Sequence, residues 1–339
     1  MAAGGVAWAR FFDDGRRIGS VEVDKGDAGT TVRWWDTSTG LPIGNPVHIV
    51  DSAINKLYLV DERRALSFGS AVTAQLWDAR TGLPLGQPLP LSPDPRRIVV
   101  ADDTTNPRIA ATVESGEVKI FRSDTMRPVG KPIRPAGQVS KMTFSPGGRT
   151  LATLTGERSV VELWDSETGD RLGQPIPTNG GSASIAFSRD GHRLAIGSSQ
   201  TLSVWNTVTS EPEGAPMTLN AKSSTVTWSR DGRTVASGGA DGTIQLFEAQ
   251  GPSPVAAPLT GHTASVTSLS FSPDGTTLLS ASADGTVRLW PVPLPDAARK
   301  ALCAKITHNM SQVQWNDRVS KDIDYEEGCP GLPASDYSG

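Results

Sequence analysis

The sequence is poor in the residues that do chemistry. Its 339 residues hold two cysteines, four histidines, three tyrosines and five methionines. Cys303 and Cys329 both fall near the C-terminal end, so disulfides cannot brace the bulk of the chain. Two readings of them stay open: a tail disulfide or redox pair, and two reduced thiols of a cytosolic protein. No run approaches the roughly eighteen apolar residues of a membrane span. The opening stretch from Met1 to Asp14 lacks the charged start and apolar run of a signal peptide, so a cytoplasmic location without membrane contact is expected. A basic excess is missing too: 32 Lys+Arg against 36 Asp+Glu give a net charge of −4, with both signs scattered. That argues against a partner bound through a nucleic-acid backbone. The histidines do not pair with one another, with cysteine or with carboxylates at metal-ligand spacing. Glycine-rich phosphate loops and nucleophile elbows are missing. The Asp-Gly pairs lack the twelve-residue ligand series of a calcium loop. The expectation is therefore no metal, no cofactor and no enzyme.

What the chain does have is turns, with 35 Gly and 25 Pro, and a period. Aromatic anchors at Trp35, Trp77, Phe121, Trp164, Trp205, Phe247 and Trp290 are separated by 42, 44, 43, 41, 42 and 43 residues. Eleven residues after each of the first six stands a proline: Pro46, Pro88, Pro132, Pro175, Pro216 and Pro258. Nine residues after the first five stands Gly44, Gly86, Gly130, Gly173 or Gly214, with Ala256 in the sixth. Two markers kept in phase through insertions and deletions define a structural repeat.

Within a repeat the text reads as strands. Ser265 to Phe271 alternates with period two, Pro273-Asp274-Gly275 turns, Thr277 to Ser282 is a second strand, Asp284-Gly285 a tight hairpin, and Thr286 to Trp290 a third strand. The same order recurs upstream, with degenerate turns in the second and third units. A fourth strand follows each anchor. Proline cannot donate to a sheet ladder, so a proline at a fixed point of every fourth strand makes that strand an outer edge. Seven units of four short antiparallel strands predict an all-β, seven-bladed β-propeller spanning residues 1–295. A tail of residues 296–339 follows. There Asp296 can cap a helix to about Ile306, and Ser311 to Gln314 fits a capping box for a second short helix carrying Trp315. The seventh unit has Ala301 where the proline marker would fall, and only five residues precede Val6. The N-terminus is therefore not expected to supply a full closing strand. The tail is expected to pack on the propeller, covering the seventh unit and bringing Cys303 near Cys329.

Trp35-Asp36, Trp77-Asp78 and Trp164-Asp165 carry a Trp-Asp dipeptide, varied in Trp205-Asn206, Phe247-Glu248, Phe121-Arg122 and Trp290-Pro291, and Gly261-His262 opens the last unit. With these features the chain resembles the WD-repeat (WD40) β-propeller family over roughly residues 4–295. The resemblance implies a buried hydrogen-bonded network of His262, Ser280 or Ser282, Asp284 and Trp290, complete only in the seventh unit. His262 could instead serve as a general base; its repeat position favours the structural role. The tryptophans could be read as a ligand-stacking set, but their single repeat position favours packing between blades. The Gly-x-Pro strands and the tail (Leu302-Cys303-Ala304, Asn309-Met310-Ser311, Trp315, Cys329-Pro330) are similar to bacterial, especially actinobacterial, members. In those, such propellers often end long chains bearing STAND-type NTPase, protease or kinase modules.

The function expected is a non-catalytic scaffold for protein–protein interaction, acting as a monomer with a protein partner. In family geometry the partner face carries Arg96, Arg97, Arg158, Gln200, Asn220 and Lys222 together with acidic residues such as Asp24, Asp27, Asp51, Glu114 and Glu157, a set of mixed sign. A sensory or autoinhibitory module of a larger bacterial signalling protein is the alternative. A propeller enzyme with a central-channel site ranks third, because the inner strands offer mostly Ser, Thr, Ala and apolar residues.

Overall fold

A computed structural model describes residues 6–292, apart from the segments 13–14, 24–28, 51–53, 60–62, 70–72, 91–99, 103–107, 113–115, 123–126, 157–158 and 179–183. The chain divides into two compact units, Met1–Pro291 and Val292–Gly339. Every described strand belongs to the first. The expected tail helices, Trp315, Cys303 and Cys329 lie outside the described residues.

The described residues form seven antiparallel sheets in chain order and no helix. Sheet one runs Val6–Phe12, Arg17–Val23, Gly29–Asp36, Val47–Val50; sheet two Ile54–Leu59, Arg64–Gly69, Thr73–Asp78, Pro84–Pro90; sheet three Val100–Asp102, Arg108–Thr112, Val118–Arg122, Pro128–Ile133. Sheet four runs Val139–Phe144, Thr150–Thr155, Val160–Asp165, Arg171–Pro177, and sheet five Ser184–Phe187, Arg193–Gly197, Thr201–Asn206, Met217–Thr218. Sheets six (Ser223–Trp228, Thr234–Gly239, Ile244–Glu248) and seven (Val266–Phe271, Thr277–Ser282, Val287–Pro291) have three strands among the described residues, where four were expected. In sheet six the fourth segment makes two isolated bridges, Ile244 with Leu259 and Phe247 with Pro254. In sheet seven Leu289 is 43% exposed, whereas its counterparts Leu163 and Leu246, covered by an outer segment, are 0% and 1% exposed. This seven-sheet all-β arrangement is consistent with a WD40 propeller.

Cores form where sheets stack. Val32 and Ile49 of sheet one meet Leu57, Leu59 and Trp77 of sheet two. Ile120 and Ile133 of sheet three meet Met142, Phe144 and Trp164 of sheet four. Leu154 and Ile176 meet Phe187 and Leu194 of sheet five. Leu202 and Met217 meet Trp228, Val235 and Phe247 of sheet six. Val6, Ala9 and Ile18 of sheet one meet Leu279 and Ala281 of sheet seven. Burying such side chains is worth roughly 1.5–3 kcal/mol each. A central strand with sheets on both faces must be apolar or small throughout, as Thr234–Gly239 is, buried at all six positions.

The Gly-x-Pro marker has a geometric cause. A residue three before the anchor pairs with the residue fifteen positions later: Val32 with Val47, Ala74 with Leu89, Val118 with Ile133, Val161 with Ile176, Leu202 with Met217, Ile244 with Leu259. Between that pair and the anchor's own partner the register shifts in sheets two, three and four, so Gly86-Gln87-Pro88, Gly130-Lys131-Pro132 and Gly173-Gln174-Pro175 lie on the longer side of a bulge. The glycine turns the chain with a positive φ, and the proline, which has no N–H, stands on the edge strand of its sheet.

Candidate functional site

Among the described residues, the constellation with the most chemistry lies in sheet seven. Gly261 has φ +149°, a backbone conformation strained for any residue with a side chain, and its turn delivers His262 inward. The tight turn after Thr277–Ser282 delivers Asp284. His262 Nδ1 lies 2.9 Å from Asp284 Oδ2, and Nε2 lies 2.7 Å from Ser280 Oγ. Trp290 Nε1–H donates to the same Ser280 Oγ at 2.7 Å. Asp284 Oδ2 also accepts Thr263 N–H at 3.0 Å, and Oδ1 accepts Thr286 N–H and its hydroxyl at 2.8 and 2.6 Å. Ser282 stands outside this set: it donates to Ala264 O and accepts Asp284 N–H. Ser280, not Ser282, is the hydroxyl that the histidine and the indole share.

The polarity of the network follows. An indole can only donate, so Ser280 accepts from Trp290 and directs its own proton to His262 Nε2. The other ring nitrogen then carries the proton and donates to Asp284. Burial disfavours the Asp284 carboxylate, but the Thr286 hydroxyl, Thr263 N–H and His262 ring donate to it and hold its carboxyl far below the ordinary range. Asp, His and Ser in this order match the roles of a hydrolytic triad, but a triad serine must meet a substrate. Ser280 is wholly buried, and the indole occupies its oxygen.

Half of this network recurs where the sequence reading placed none. Trp35 donates to Ser20 at 2.9 Å, Trp77 to Ser67 at 2.7 Å and Trp164 to Thr153 at 2.9 Å, each a hydroxyl of the neighbouring second strand. Sheet five has Ile196 at that position, and Trp205 turns to Ser203 on its own strand. Sheet three has both changes, Phe121 and Ala111. In sheet six Phe247 cannot donate, and Ser237 bonds Ser223, which bonds Ser184 of sheet five. The signal was a Ser or Thr ten or eleven residues before Trp77, Trp164 and Trp290, hidden among many serines.

The acidic half of the Trp-Asp dipeptide caps the turn toward the outer strand. Asp36 takes the N–H groups of Ser38 and Thr39, Asp78 those of Arg80 and Thr81, Asp165 those of Glu167 and Thr168, and Asn206 those of Val208 and Thr209. These bonds hold the Asp36, Asp78 and Asp165 carboxyls below their usual range; the largest contributions are the Ser38 hydroxyl, Arg80 N–H and Thr168 N–H.

Of the expected partner face, Gln200, Asn220 and Lys222 are exposed, while Arg96, Arg97 and Arg158 lie outside the described residues. The backbone beneath the three is tied down. Leu219 N–H donates to Gln200 O at 2.9 Å, Asn220 N–H to Gln245 Oε1 at 2.8 Å and Ala240 N–H to Lys222 O at 2.9 Å. Among the described residues there is no His/Cys/Asp/Glu cluster fit to hold a metal ion, and no helix long and apolar enough to cross a membrane.

Comparison with known proteins agrees with the repeat. The chain is 30% identical over 106 residues to Autophagy-related protein 18 from two strains of Saccharomyces cerevisiae. The match covers 30% of this chain and 21% of the yeast protein, so the chain spans about a fifth of the length of these relatives. The family model described as WD domain, G-beta repeat, matches residues 177–206, 218–248 and 253–291. WD40 repeats therefore occupy the stretch that holds sheets five to seven.

Proposed function

We propose that the chain is a non-catalytic scaffold for protein partners, built on a seven-bladed propeller of residues 1–295 followed by a tail of residues 296–339. The observation that carries this reading is the closed state of the catalytic-looking constellation in sheet seven. Ser280 is buried, its oxygen accepts the Trp290 indole, and its proton is directed to His262. What the chain offers instead is a rim of polar side chains of mixed character on an immobilised backbone, with Gln200, Asn220 and Lys222 at its described part. A pre-ordered backbone loses less conformational entropy on association, which favours binding of a partner there. Arg96, Arg97 and Arg158 extend the same face in this reading.

The test is quantitative affinity capture in the native host. It compares the full chain with a Gln200→Ala/Asn220→Ala/Lys222→Ala variant. Loss of captured partners at an unchanged melting temperature is expected, and an identical partner set would remove this face from the proposal. A hydrolytic activity abolished by Ser280→Ala would overturn the non-catalytic reading.

A further inference from the structure

Consecutive sheets are joined by the chain itself, but sheets seven and one are not. Sheet one draws its strands from residues 6–50 and sheet seven from residues 266–291, and no described strand is shared between them. Their contact has another origin. The first strand of sheet seven carries a bulge at Thr267, between the paired residues Val266 and Ser268, and that of sheet one carries one at Ala7, between Val6 and Trp8. A bulge residue leaves the ladder, so its side chain can be re-aimed sideways. Thr267 Oγ1–H donates to Val6 O at 2.9 Å. Ser268 Oγ accepts Ala9 N–H and donates to Ala9 O, both at 3.0 Å. These bonded groups are 259 to 261 residues apart in sequence.

We propose that Thr267 and Ser268 form a hydroxyl clasp that shuts the ring between sheets seven and one, and that this seam is where the ring opens first. The clasp is a local device put to a special use. One sheet earlier, the bulge residue Ser224 lies 2.6 Å from Val266 O, the counterpart of Val6 O. There the chain through residues 249–265 holds the two sheets together whether or not the bond forms. Between sheets seven and one, the described contacts include the clasp, the packing of Val6, Ala9 and Ile18 with Leu279 and Ala281, and the close approach of Pro273 to Gly15. The single Ser268 hydroxyl thus satisfies both polar groups of Ala9, and the Thr267 hydroxyl the carbonyl of Val6.

Hydrogen exchange on the full chain tests this, read by mass on the peptide covering residues 6–12. Thr267→Val/Ser268→Ala should speed exchange of that peptide about tenfold or more, since each lost bond favours opening several-fold. Ser224→Ala removes the equivalent hydroxyl at a chain-linked junction and should leave the same peptide unchanged. If the double variant does not fold, Thr267→Val alone, at an exposed position, should give the smaller increase. Parent-like exchange of residues 6–12 in the folded clasp variants would overturn the proposal. An equal acceleration by Ser224→Ala would show that the seam has no special weakness, and would overturn it too.

Discussion

At Ser280 one hydroxyl satisfies a buried imidazole and a half-buried indole, and removing either ring leaves a polar group without its partner. His262→Ala should cost roughly 1–3 kcal/mol and lower the melting temperature by several degrees without changing the strand content seen by circular dichroism. A melting curve equal to the parent's, together with lost partner binding, would instead make His262 a contact residue. Asp284 adds a pH dependence whose sign follows from its lowered carboxyl. A depressed acid stabilises the fold above the unfolded-state value, ~3.9, and that contribution disappears as pH falls below it. The melting-temperature gap between the parent and Asp284→Asn should be widest near neutrality and shrink at about pH 3. A gap that stays constant would show that the carboxylate charge contributes nothing. Asp190 and Asp274 are held low mainly by the Ser188 and Ser272 hydroxyls, so they push acid stability the same way. At this scale the Trp-Asp and Gly-His pairs were legible because they are rare letters at a fixed phase. Ser20, Ser67 and Thr153 were not, because a hydroxyl becomes an acceptor only once the register sets it beside an indole.

The repeating element is the edge strand with its Gly-x-Pro bulge. Gly86 and Gly130 both have positive φ, +74° and +67°, so any side chain is strained at either. Their surroundings differ. A Cβ at Gly86 would meet nothing within 4 Å, whereas one at Gly130 would lie 2.6 Å from Glu167 O and 3.0 Å from Ser166 O in the next sheet. Gly86→Ala should cost about 1 kcal/mol, and Gly130→Ala clearly more, because two backbones must move apart. Chemical denaturation of the two variants measures the difference; equal losses would mean that the neighbouring turn yields freely. The sequence located these edges from proline alone, since a residue without an N–H has few places in a sheet. The bulge was invisible there, because it is a relation between two strands. Sheet six has Ala256 where the first five have glycine, and its outer segment forms two bridges in place of a strand.

For the first compact unit as a whole, stability is spread over the contacts between sheets, and the exposed rim adds little. Gln200→Ala, Asn220→Ala and Lys222→Ala should each change unfolding free energy by no more than about 0.5 kcal/mol. A larger loss would mean that these side chains hold neighbouring sheets together. Period, sheet number, strand order and the edge position of the prolines were determined by the sequence alone, because each repeat encodes its strands through short-range alternation and turn residues. Three matters were left to the tertiary structure: which serine completes the His262 network, where the other indoles find their acceptors, and how sheets seven and one meet. Each depends on atoms brought together from different strands or from sequence positions some 260 residues apart, and local pattern carries no record of that distance.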